Sequence, residues 1–337
     1  MSREATAPES EDRLIGWLRR LVGRAQAAHP IGDDAAFLKL DGDWAVTVDS
    51  QIEGIHFPEG LAPALVARRL LAVNLSDLAA SGASPVWAFL SLCLPPGFDA
   101  RRFFQAFVRA TKIAGVTLAG GDLSRIPQGL VATLTLLGRR PPEGRWLKRS
   151  AARAGDLLYL GGTLGESALG QRLLARGARI DARGRVTLPA DLGISSMLAQ
   201  AARNAVRRHV EPQPQLALGK ALGRLKRVAA LDVSDGLARD LHRLCEESKV
   251  GAEIDAAALP FAARFSDLCR AVGEDPLNLA LSGGEDYVLL FSLAERSAPP
   301  KDFPCRKIGT ITSGRKVEIR IDGKNQKLPP LGWDHLS

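Results

Sequence analysis

The spacing of apolar and polar residues predicts alternating helices and strands in the first half of the chain. Glu11–Val22 repeats its apolar residues at helical period behind an acidic start, which predicts an amphipathic packing helix. Trp44–Asp49 alternates like a half-buried strand, and a helix is predicted from Pro63 to a stop at Gly82. Three further segments follow: an apolar run Val86–Leu94, a helix Arg101–Ala114 and a strand Val131–Leu137.

The second half repeats this alternation after a break in periodicity. The stretch Arg139–Ala154 is rich in Pro, Gly and Arg, so we place the domain junction there. The elements predicted beyond it are a strand Asp156–Leu160, a glycine turn at Gly161-Gly162, Ala-rich helices, a strand ending Ala230–Asp232, a helix from Gly236 and a strand Tyr287–Phe291. Both halves therefore belong to the α/β class.

Short sequences in the two halves resemble each other. The first half has Val46–Ser50 and a predicted glycine turn at Gly120-Gly121-Asp122, and the second has Leu231–Asp235 and Ser282–Asp286. Such an internal similarity suggests two related halves facing each other across a cleft, which is a common place for ligands.

Length and composition indicate two globular domains. The chain has 337 residues, 46% hydrophobic and 24% charged, and no apolar run approaches the roughly 18 residues of a spanning helix. Its start has no continuous apolar segment of a secretory signal, so we expect a cytoplasmic protein with no membrane partner. The four cysteines show no CxxC spacing and are interpreted as reduced structural thiols.

The formal net charge of +8 is compatible with a nucleic-acid binder or with an enzyme for anionic small molecules. The basic residues are scattered, and aromatic residues make up only 5% of the chain, so no basic and aromatic platform for a nucleic acid is apparent. We therefore expect no nucleic-acid partner.

Carboxylates in unusual places carry most of the chemical information. Most of them stand beside Gly or Ser where an apolar strand is predicted to give way to a turn, whereas Asp77 lies in a predicted helix between two leucines. Singly, each is explained as a turn cap or a solvated acid. The set comprises Asp33, Asp34, Asp49, Asp77, Asp122, Asp232, Asp235, Glu285 and Asp286.

If these acids converge, their repulsion must be relieved. Two carboxylates about 4 Å apart repel by roughly 4 kcal/mol at an effective dielectric constant near 20. Bound cations or shifted pKa values would be needed to hold several such pairs in one domain. Oxygen ligands without His or Cys favour Mg²⁺ or Ca²⁺, and Mg²⁺ commonly completes its shell with water and substrate phosphate.

The glycine pairs allow backbone N–H groups to approach an anion. However, the chain has no GxxxxGK[ST] sequence and no HRD-type catalytic loop, and Gly161–Gly165 lacks the dinucleotide-binding spacing. Any nucleotide chemistry must therefore use another scaffold.

Six blocks in a fixed order give the chain a specific resemblance. It resembles the thiamine-monophosphate kinase family, in the superfamily of aminoimidazole ribonucleotide synthetase and selenophosphate synthetase, from about residue 11 to Trp333. The blocks are IGDDAA (31–36), TVDSQIEGIHF (47–57), AVNLSDLAASGA (72–83), LAGGD (118–122), LDVSDGL (231–237) and LSGGEDY (281–287).

The resemblance implies an ATP-dependent phosphotransferase that acts on thiamine monophosphate, with ATP as co-substrate and several Mg²⁺ ions bridging the phosphates. The metal ligands it implies are Asp34, Thr47, Asp49, Asp77, Asp122, Asp232 and Asp235, of which Asp49, Asp77, Asp122 and Asp235 would be catalytic. The nucleotide residues it implies are Gly121, Asp122, Arg149 and Ser234, and the substrate residues are His56, Glu285 and Trp333.

For the fold, the resemblance implies an α/β (α+β) homodimer of two-domain subunits with the ligand cleft between the domains. Residues 1–140 would form the metal-binding, ATP-binding and dimerisation domain, whose mixed sheet builds a β-barrel in the dimer. Residues 150–337 would form an α/β sandwich that completes the nucleotide and substrate site.

The chain departs from the family pattern at three positions. Val48 stands where a hydroxyl residue is frequent, Gln215 replaces the arginine of a Pro-x-Pro-Arg turn, and Val288 replaces an acid. These departures concern substrate contacts more than the metal ligands. The alternative function is another ATP-dependent enzyme of the superfamily, although a selenophosphate synthetase normally has a reactive N-terminal Cys or selenocysteine and this chain has no Cys before Cys93.

Overall fold

The computed structural model describes residues 11–23, 35–36, 38 and 40–334. Its helices are α1 (Glu11–Val22), α2 (Pro63–Ser81), α3 (Ala100–Ala114), α4 (Glu166–Ala175), α5 (Ser196–Val210), α6 (Leu216–Gly223), α7 (Leu237–Ser248), α8 (Phe265–Ala271) and α9 (Pro276–Ser282). Its strands are β1 (Trp44–Ile52), β2 (Ser84–Leu94), β3 (Thr117–Arg125), β4 (Val131–Arg139), β5 (Leu157–Leu160), β6 (Arg179–Ile180), β7 (Val186–Thr187), β8 (Val228–Asp232), β9 (Gly251–Asp255), β10 (Leu289–Leu293), β11 (Arg306–Thr312), β12 (Val317–Ile321) and β13 (Lys324–Lys327).

The chain divides into two compact units. The first unit comprises residues 1–74 and 85–138, and the second comprises residues 75–84 and 139–337. Both contain helices and mixed sheets, in agreement with the α/β (α+β) class. No helix in the part of the chain that the structure describes is long and apolar enough to cross a membrane.

The first unit is built on a four-stranded sheet with strand order β1-β4-β2-β3, in which β2 and β3 run parallel. Helix α3 supplies much of the core, because Phe103, Phe104 and Phe107 repeat at helical spacing and are all buried. Asp99 caps the start of this helix by accepting a hydrogen bond from the Arg102 N–H, and Gly115 ends it in the left-handed conformation.

The second unit contains a seven-stranded sheet with order β13-β12-β9-β11-β5-β10-β8, covered on both faces at its centre. Leu158, Leu231 and Leu290 face α7, whereas the neighbouring strand positions Tyr159 and Phe291 face the opposite way. On that second face the strands pack against a cluster that includes Leu218, Leu222 and Ala79. Strands β8 and β10 are therefore buried along their whole length, which explains their continuous apolar sequences.

The structural division differs from the predicted boundaries at one place, because the end of α2 belongs to the second unit. Ala79 lies in the core of that unit, and a side chain at Gly219 would overlap the Ala79 carbonyl oxygen. The predicted division at residues 1–140 and 150–337 concerns function as well as packing and stays a prediction.

Most elements predicted from periodicity are present, with two corrections. Gly120-Gly121-Asp122 does not form a turn but lies inside β3, where a Cβ at Gly121 would overlap the Leu90 carbonyl of the neighbouring strand. The strand predicted at Tyr287–Phe291 begins at Leu289 because Tyr287 has φ 51°, which no extended strand residue adopts.

Candidate functional site

Two interacting carboxylates lie in the second unit, Asp232 buried and Asp77 half-buried. Asp232 ends β8 and is 5% exposed, and its side chain accepts a 2.6 Å hydrogen bond from the Ser76 hydroxyl of α2. Burial, and then the negative charge of Asp77, raise the pKa of Asp232 far above its ordinary value, while Arg149 acts in the opposite direction. The structure thus brings three predicted site residues, Asp77, Asp232 and Arg149, within electrostatic reach of one another.

The strand beside Asp232 is held by the residue that departs from the family pattern. Leu289 of β10 pairs with Asp232, and its N–H donates to Gln215 Oε1 at 2.8 Å. Gln215 Nε2 donates to the Gly161 carbonyl at 2.5 Å, so one side chain bridges the ends of β5 and β10. Val288 is fully buried in the core beside Gly162. Gln215 and Val288 therefore support the backbone next to the acid.

Asp235 belongs to a network that sequence reasoning missed. Asp240 is 1% exposed and accepts hydrogen bonds of 3.0 Å from the backbone N–H groups of Ser234 and Asp235. Arg243 Nη1 bridges Asp235 Oδ2 at 2.5 Å and Asp240 Oδ1 at 2.8 Å. Burial raises the pKa of Asp240 to about 7. The network fixes the Ser234-Asp235 turn and neutralises part of the charge of Asp235.

The predicted acids of the first unit lie on a sheet rather than in a cluster. Thr47 and Asp49 share one half-buried face of β1, and Asp122 is exposed on β3, where it accepts a 3.0 Å hydrogen bond from Ser124. Strands β4 and β2 separate β1 from β3, which corresponds to about 14 Å at roughly 4.8 Å per strand spacing. Asp49 and Asp122 of one chain are therefore not direct neighbours within this sheet.

Gly121 and His56 are both fixed by backbone geometry. Gly121 is held against Leu90, as described for β3. His56 Nδ1 accepts a 3.0 Å hydrogen bond from the Ile52 N–H in the turn after β1, so the proton of the neutral ring lies on Nε2. Glu53 closes the same turn by accepting from the Gly60 and Leu130 N–H groups, each at 2.8 Å.

Trp333 lines a cavity of about 410 Å³ in the second unit, formed mainly by α4, α9 and the tail. Trp333 is 50% exposed, and its backbone N–H donates to the Asp235 carbonyl at 3.0 Å. Gly332 fits closely against that carbonyl and has φ 144°, a conformation that favours glycine. The tail thus brings an accessible aromatic ring to the same turn that carries Asp235.

Glu285 lies in a strained loop between α9 and β10. It has φ 59°, its N–H donates to the Ser234 carbonyl at 2.7 Å, and its carboxylate lies 3.2 Å from His209 Nδ1. The neighbouring Asp286 is 1% exposed and accepts from the Gly165 N–H at 2.8 Å, and burial raises its pKa to about 7. The loop joins Glu285 to the Ser234-Asp235 turn.

The described residues test the metal prediction in part. Asp34 falls outside them. Among the side chains in the described ranges, no three His, Cys, Asp or Glu residues form a metal-binding group. The pair Asp77 and Asp232 nevertheless fits a hard cation, since its donors are carboxylate oxygens whose mutual repulsion a cation would relieve.

Comparisons with known proteins agree with the resemblance inferred from the sequence. Two family models match: "AIR synthase related protein, N-terminal domain" over residues 32–139 and "AIR synthase related protein, C-terminal domain" over residues 153–322. The thiamine-monophosphate kinase of Escherichia coli O157:H7 is 37% identical over 319 residues, which cover 91% of each chain.

Solved structures give the same result. The thiamine-monophosphate kinase of Stenotrophomonas maltophilia K279a is 33% identical with a TM-score of 0.76, covering 92% of this chain and 96% of that one. The structure described as AaThiL complexed with AMPPCP and TMP is 29% identical with a TM-score of 0.75, covering 98% and 100% of the two chains.

Proposed function

The chain belongs to the thiamine-monophosphate kinase family of AIR synthase related proteins, and we propose that it transfers a phosphate from ATP to thiamine monophosphate, forming thiamine diphosphate. It is thus a phosphotransferase. The relative crystallised with AMPPCP and TMP supports ATP and thiamine monophosphate as the two substrates. The structural observation that carries the proposal is the acid pair of half-buried Asp77 and buried Asp232 beside Arg149, which suits a cation and an anionic nucleotide.

The proposed reaction is a direct in-line transfer. The acceptor is a phosphate oxygen that is already ionised at neutral pH, so the chain has no need of a general base. Its residues must align two anions and neutralise their charge. Bound Mg²⁺ would supply charge neutralisation between the two phosphate groups.

The metal ligands proposed in the second unit are Asp77, Asp232 and Asp235. Asp77 and Asp232 are supported by their mutual repulsion and by the burial of Asp232. One oxygen of Asp235 is in contact with Arg243, which leaves the other oxygen for a ligand role. Arg149 and Ser234 are proposed to contact the nucleotide phosphates, because the charge of Arg149 acts on Asp232 and the Ser234 backbone N–H is bound by Asp240.

The first unit is proposed to contribute Thr47, Asp49, Gly121 and Asp122 to the metal and nucleotide site, together with Asp34. Asp49 and Asp122 are accessible on their sheet and offer only oxygen ligands, which suits Mg²⁺. Their separation within this sheet means that they would hold different ions or different parts of the nucleotide. Several ions are therefore part of the proposal.

The substrate residues proposed are His56, Glu285 and Trp333. The cavity at Trp333 is large enough for a two-ring substrate, and its exposed indole could stack on an aromatic cation at a gain of roughly 0.5–2 kcal/mol. Glu285 would add a negative charge that complements the thiazolium ring.

We also propose a cytoplasmic homodimer that pairs through the first-unit sheet. Val46 and Val48 are 62% and 60% exposed on edge strand β1, which is costly unless a partner covers them. Val48, which stands where the family frequently has a hydroxyl residue, would then pack against the partner subunit. The four unbridged cysteines suit a reducing compartment.

The test is an assay of purified protein with ATP, Mg²⁺ and thiamine monophosphate, in which thiamine diphosphate is detected by phosphorus NMR or chromatography. Parallel reactions with a formylglycinamidine ribonucleotide or with selenide address the alternative superfamily activities. Formation of thiamine diphosphate supports the proposal, and a product only in a parallel reaction refutes it. EDTA should abolish turnover without unfolding the protein, and full turnover in EDTA would contradict the metal assignment.

A further inference from the structure

His209 is a buried histidine that the proposed function does not use. It lies near the end of α5 with its side chain 3% exposed, and Nδ1 is 3.2 Å from both Glu285 Oε2 and the Ser167 hydroxyl. A buried imidazole in contact with a proposed substrate-binding carboxylate calls for a chemical explanation.

The contacts of His209 Nδ1 depend on whether that nitrogen carries a proton. A carboxylate only accepts, and a bare nitrogen lone pair 3.2 Å from its oxygen would repel it. The contact is therefore favourable when Nδ1 carries a proton, and in that state the Ser167 hydroxyl, which can donate or accept, accepts from Nδ1. With Nδ1 protonated, His209 directs the positive side of its ring toward Glu285 from a buried position, where electrostatic attraction is strong.

Ser167, His209 and Glu285 do not form a hydrolytic triad. In a triad the nucleophile and the acid contact different ring nitrogens, so that a proton can pass through the imidazole. Here both partners contact Nδ1. The arrangement can fix a carboxylate but cannot activate the Ser167 hydroxyl through that acid.

Glu285 needs such a support. Its side chain is 23% exposed and its backbone has φ 59°, a conformation that is uncommon for a residue other than glycine. The Tyr287 hydroxyl lies 3.4 Å from the other carboxylate oxygen, at the long end of hydrogen-bond distance. His209 Nδ1 lies closer, at 3.2 Å from Oε2, in a polar contact that falls outside hydrogen-bond geometry.

We propose that His209 is a positioning residue that orients the Glu285 carboxylate toward the cationic ring of the substrate. The inference rests on the proposed function, because it assumes that Glu285 contacts thiamine monophosphate. It predicts that His209 affects binding of the cationic substrate and leaves binding of ATP almost unchanged. A purely structural histidine would affect both substrates equally or neither.

The test compares substitutions that differ in where they place a donor. His209→Asn places an amide nitrogen near the position of Nδ1 and should keep the Michaelis constant for thiamine monophosphate within about 3-fold of wild type. His209→Gln places its amide nitrogen near Nε2, and His209→Leu has no donor. Both should raise that constant by about 10-fold or more, with the constant for ATP within about 2-fold.

Val206→Ala is the matched control, since Val206 is fully buried one turn earlier in α5 and has no place in the proposed site. It should lower the melting temperature with both Michaelis constants unchanged. If it raises the constant for thiamine monophosphate as much as His209→Leu does, the effect is one of packing and the inference is wrong.

A double-mutant cycle with Glu285→Gln shows whether His209 acts through Glu285. In the Glu285→Gln background, His209→Leu should change the affinity for thiamine monophosphate by less than about 2-fold. Additive effects, or a His209→Leu enzyme with unchanged constants, would overturn the inference and leave the proposed function intact. If the His209→Leu variant does not fold, the Michaelis constants of the His209→Asn and His209→Gln variants for thiamine monophosphate test the inference. Wild-type protein that makes no thiamine diphosphate would overturn both.

Discussion

The carboxylates of the two units differ in their surroundings. In the first unit, Asp49 is half-buried and Asp122 is exposed, and they lie on strands at opposite edges of one sheet. In the second unit, Asp232, Asp240 and Asp286 are almost completely buried, and burial is the main reason that their pKa values are raised. Residues of similar chemistry thus occupy a solvated surface in one unit and a desolvated interior in the other.

This difference indicates that the acids lower the stability of the second unit more than that of the first. A buried carboxylate with a raised pKa is unfavourable when ionised, and it persists because the surrounding fold holds it. An acid on an accessible strand position carries little of that cost. In the second unit the ionised acids therefore lower the stability of the fold, and a bound cation could relieve their repulsion. In the first unit the acids have little effect on stability.

The largest expected effect tests whether the acids of both units are needed for the same phosphate transfer. Asp77→Asn and Asp122→Asn should each lower kcat for thiamine diphosphate formation by several orders of magnitude, because each removes charge that neutralises the phosphates. The measurement is steady-state turnover at saturating ATP and Mg²⁺. Asp41→Asn and Glu295→Gln, exposed acids outside the proposed site, are the controls. Near-normal turnover by Asp122→Asn would confine the chemistry to the second unit.

The next effect tests whether the aromatic ring of the substrate binds at Trp333 in the second unit. Trp333→Ala should raise the Michaelis constant for thiamine monophosphate by roughly 5- to 30-fold, as expected for a stacking loss of about 1–2 kcal/mol. The constant for ATP should stay nearly unchanged, and Trp333→Tyr should recover most of the loss. Trp17→Ala, in α1 of the first unit, is the tryptophan control. A lower melting temperature with both constants unchanged would make Trp333 a tail anchor.

A smaller effect compares how one substitution in each unit changes the free energy of unfolding. In metal-free protein at pH 8, Asp77→Asn should raise the free energy of unfolding by about 1–3 kcal/mol, because it relieves repulsion with buried Asp232. Asp122→Asn, at an exposed position of β3, should change it by less than about 0.5 kcal/mol, as is usual for surface substitutions. Urea unfolding measures both values. Equal stabilisation by the two variants would contradict the contrast drawn between the units.

The last expected effect is a change in the pH dependence of stability. The folded-state pKa of Asp286 is about 7 against an ordinary value of 3.8, so the folded protein binds the proton more tightly. This contribution to stability is complete below about pH 4 and is lost as the pH rises to about 7, with a slope of at most about 1.4 kcal/mol per pH unit. Asp286→Asn, which keeps an oxygen acceptor for the Gly165 N–H, should flatten this slope. An unchanged slope in urea unfolding across pH 4–8 would contradict the assignment.

Elements with strong periodicity were predictable from the sequence. Helix α1 was predicted at Glu11–Val22 and α2 from Pro63 to the stop at Gly82, since proline and glycine mark helix ends as the apolar residues mark the buried face. Gly120-Gly121 was misinterpreted because glycine pairs are typical of turns. In β3 the small residue serves close strand approach, a tertiary reason that leaves no local signal.

The site was predictable to the extent that its residues lie in recognisable sequence blocks. Asp77 and Asp232 are 155 positions apart, and only their blocks suggested that they act together. Asp240 and His209 could not be found in this way. Asp240 looks like a helix-surface partner of Arg243 at i,i+3, and His209 looks like an ordinary basic residue at a helix end. Their burial depends on the packing of distant segments.

Gly121 has a consequence for how sequence variants of this protein are interpreted. Because any side chain there would overlap the Leu90 carbonyl, all nineteen alternatives should score as badly in a mutational scan as a change of the adjacent Asp122. The two kinds of intolerance differ in origin. Variants at position 121 should reduce the amount of protein in the cell, whereas Asp122→Asn should leave normal amounts of inactive protein. A scan that reports abundance beside growth would therefore distinguish a steric requirement from a catalytic one at two neighbouring codons.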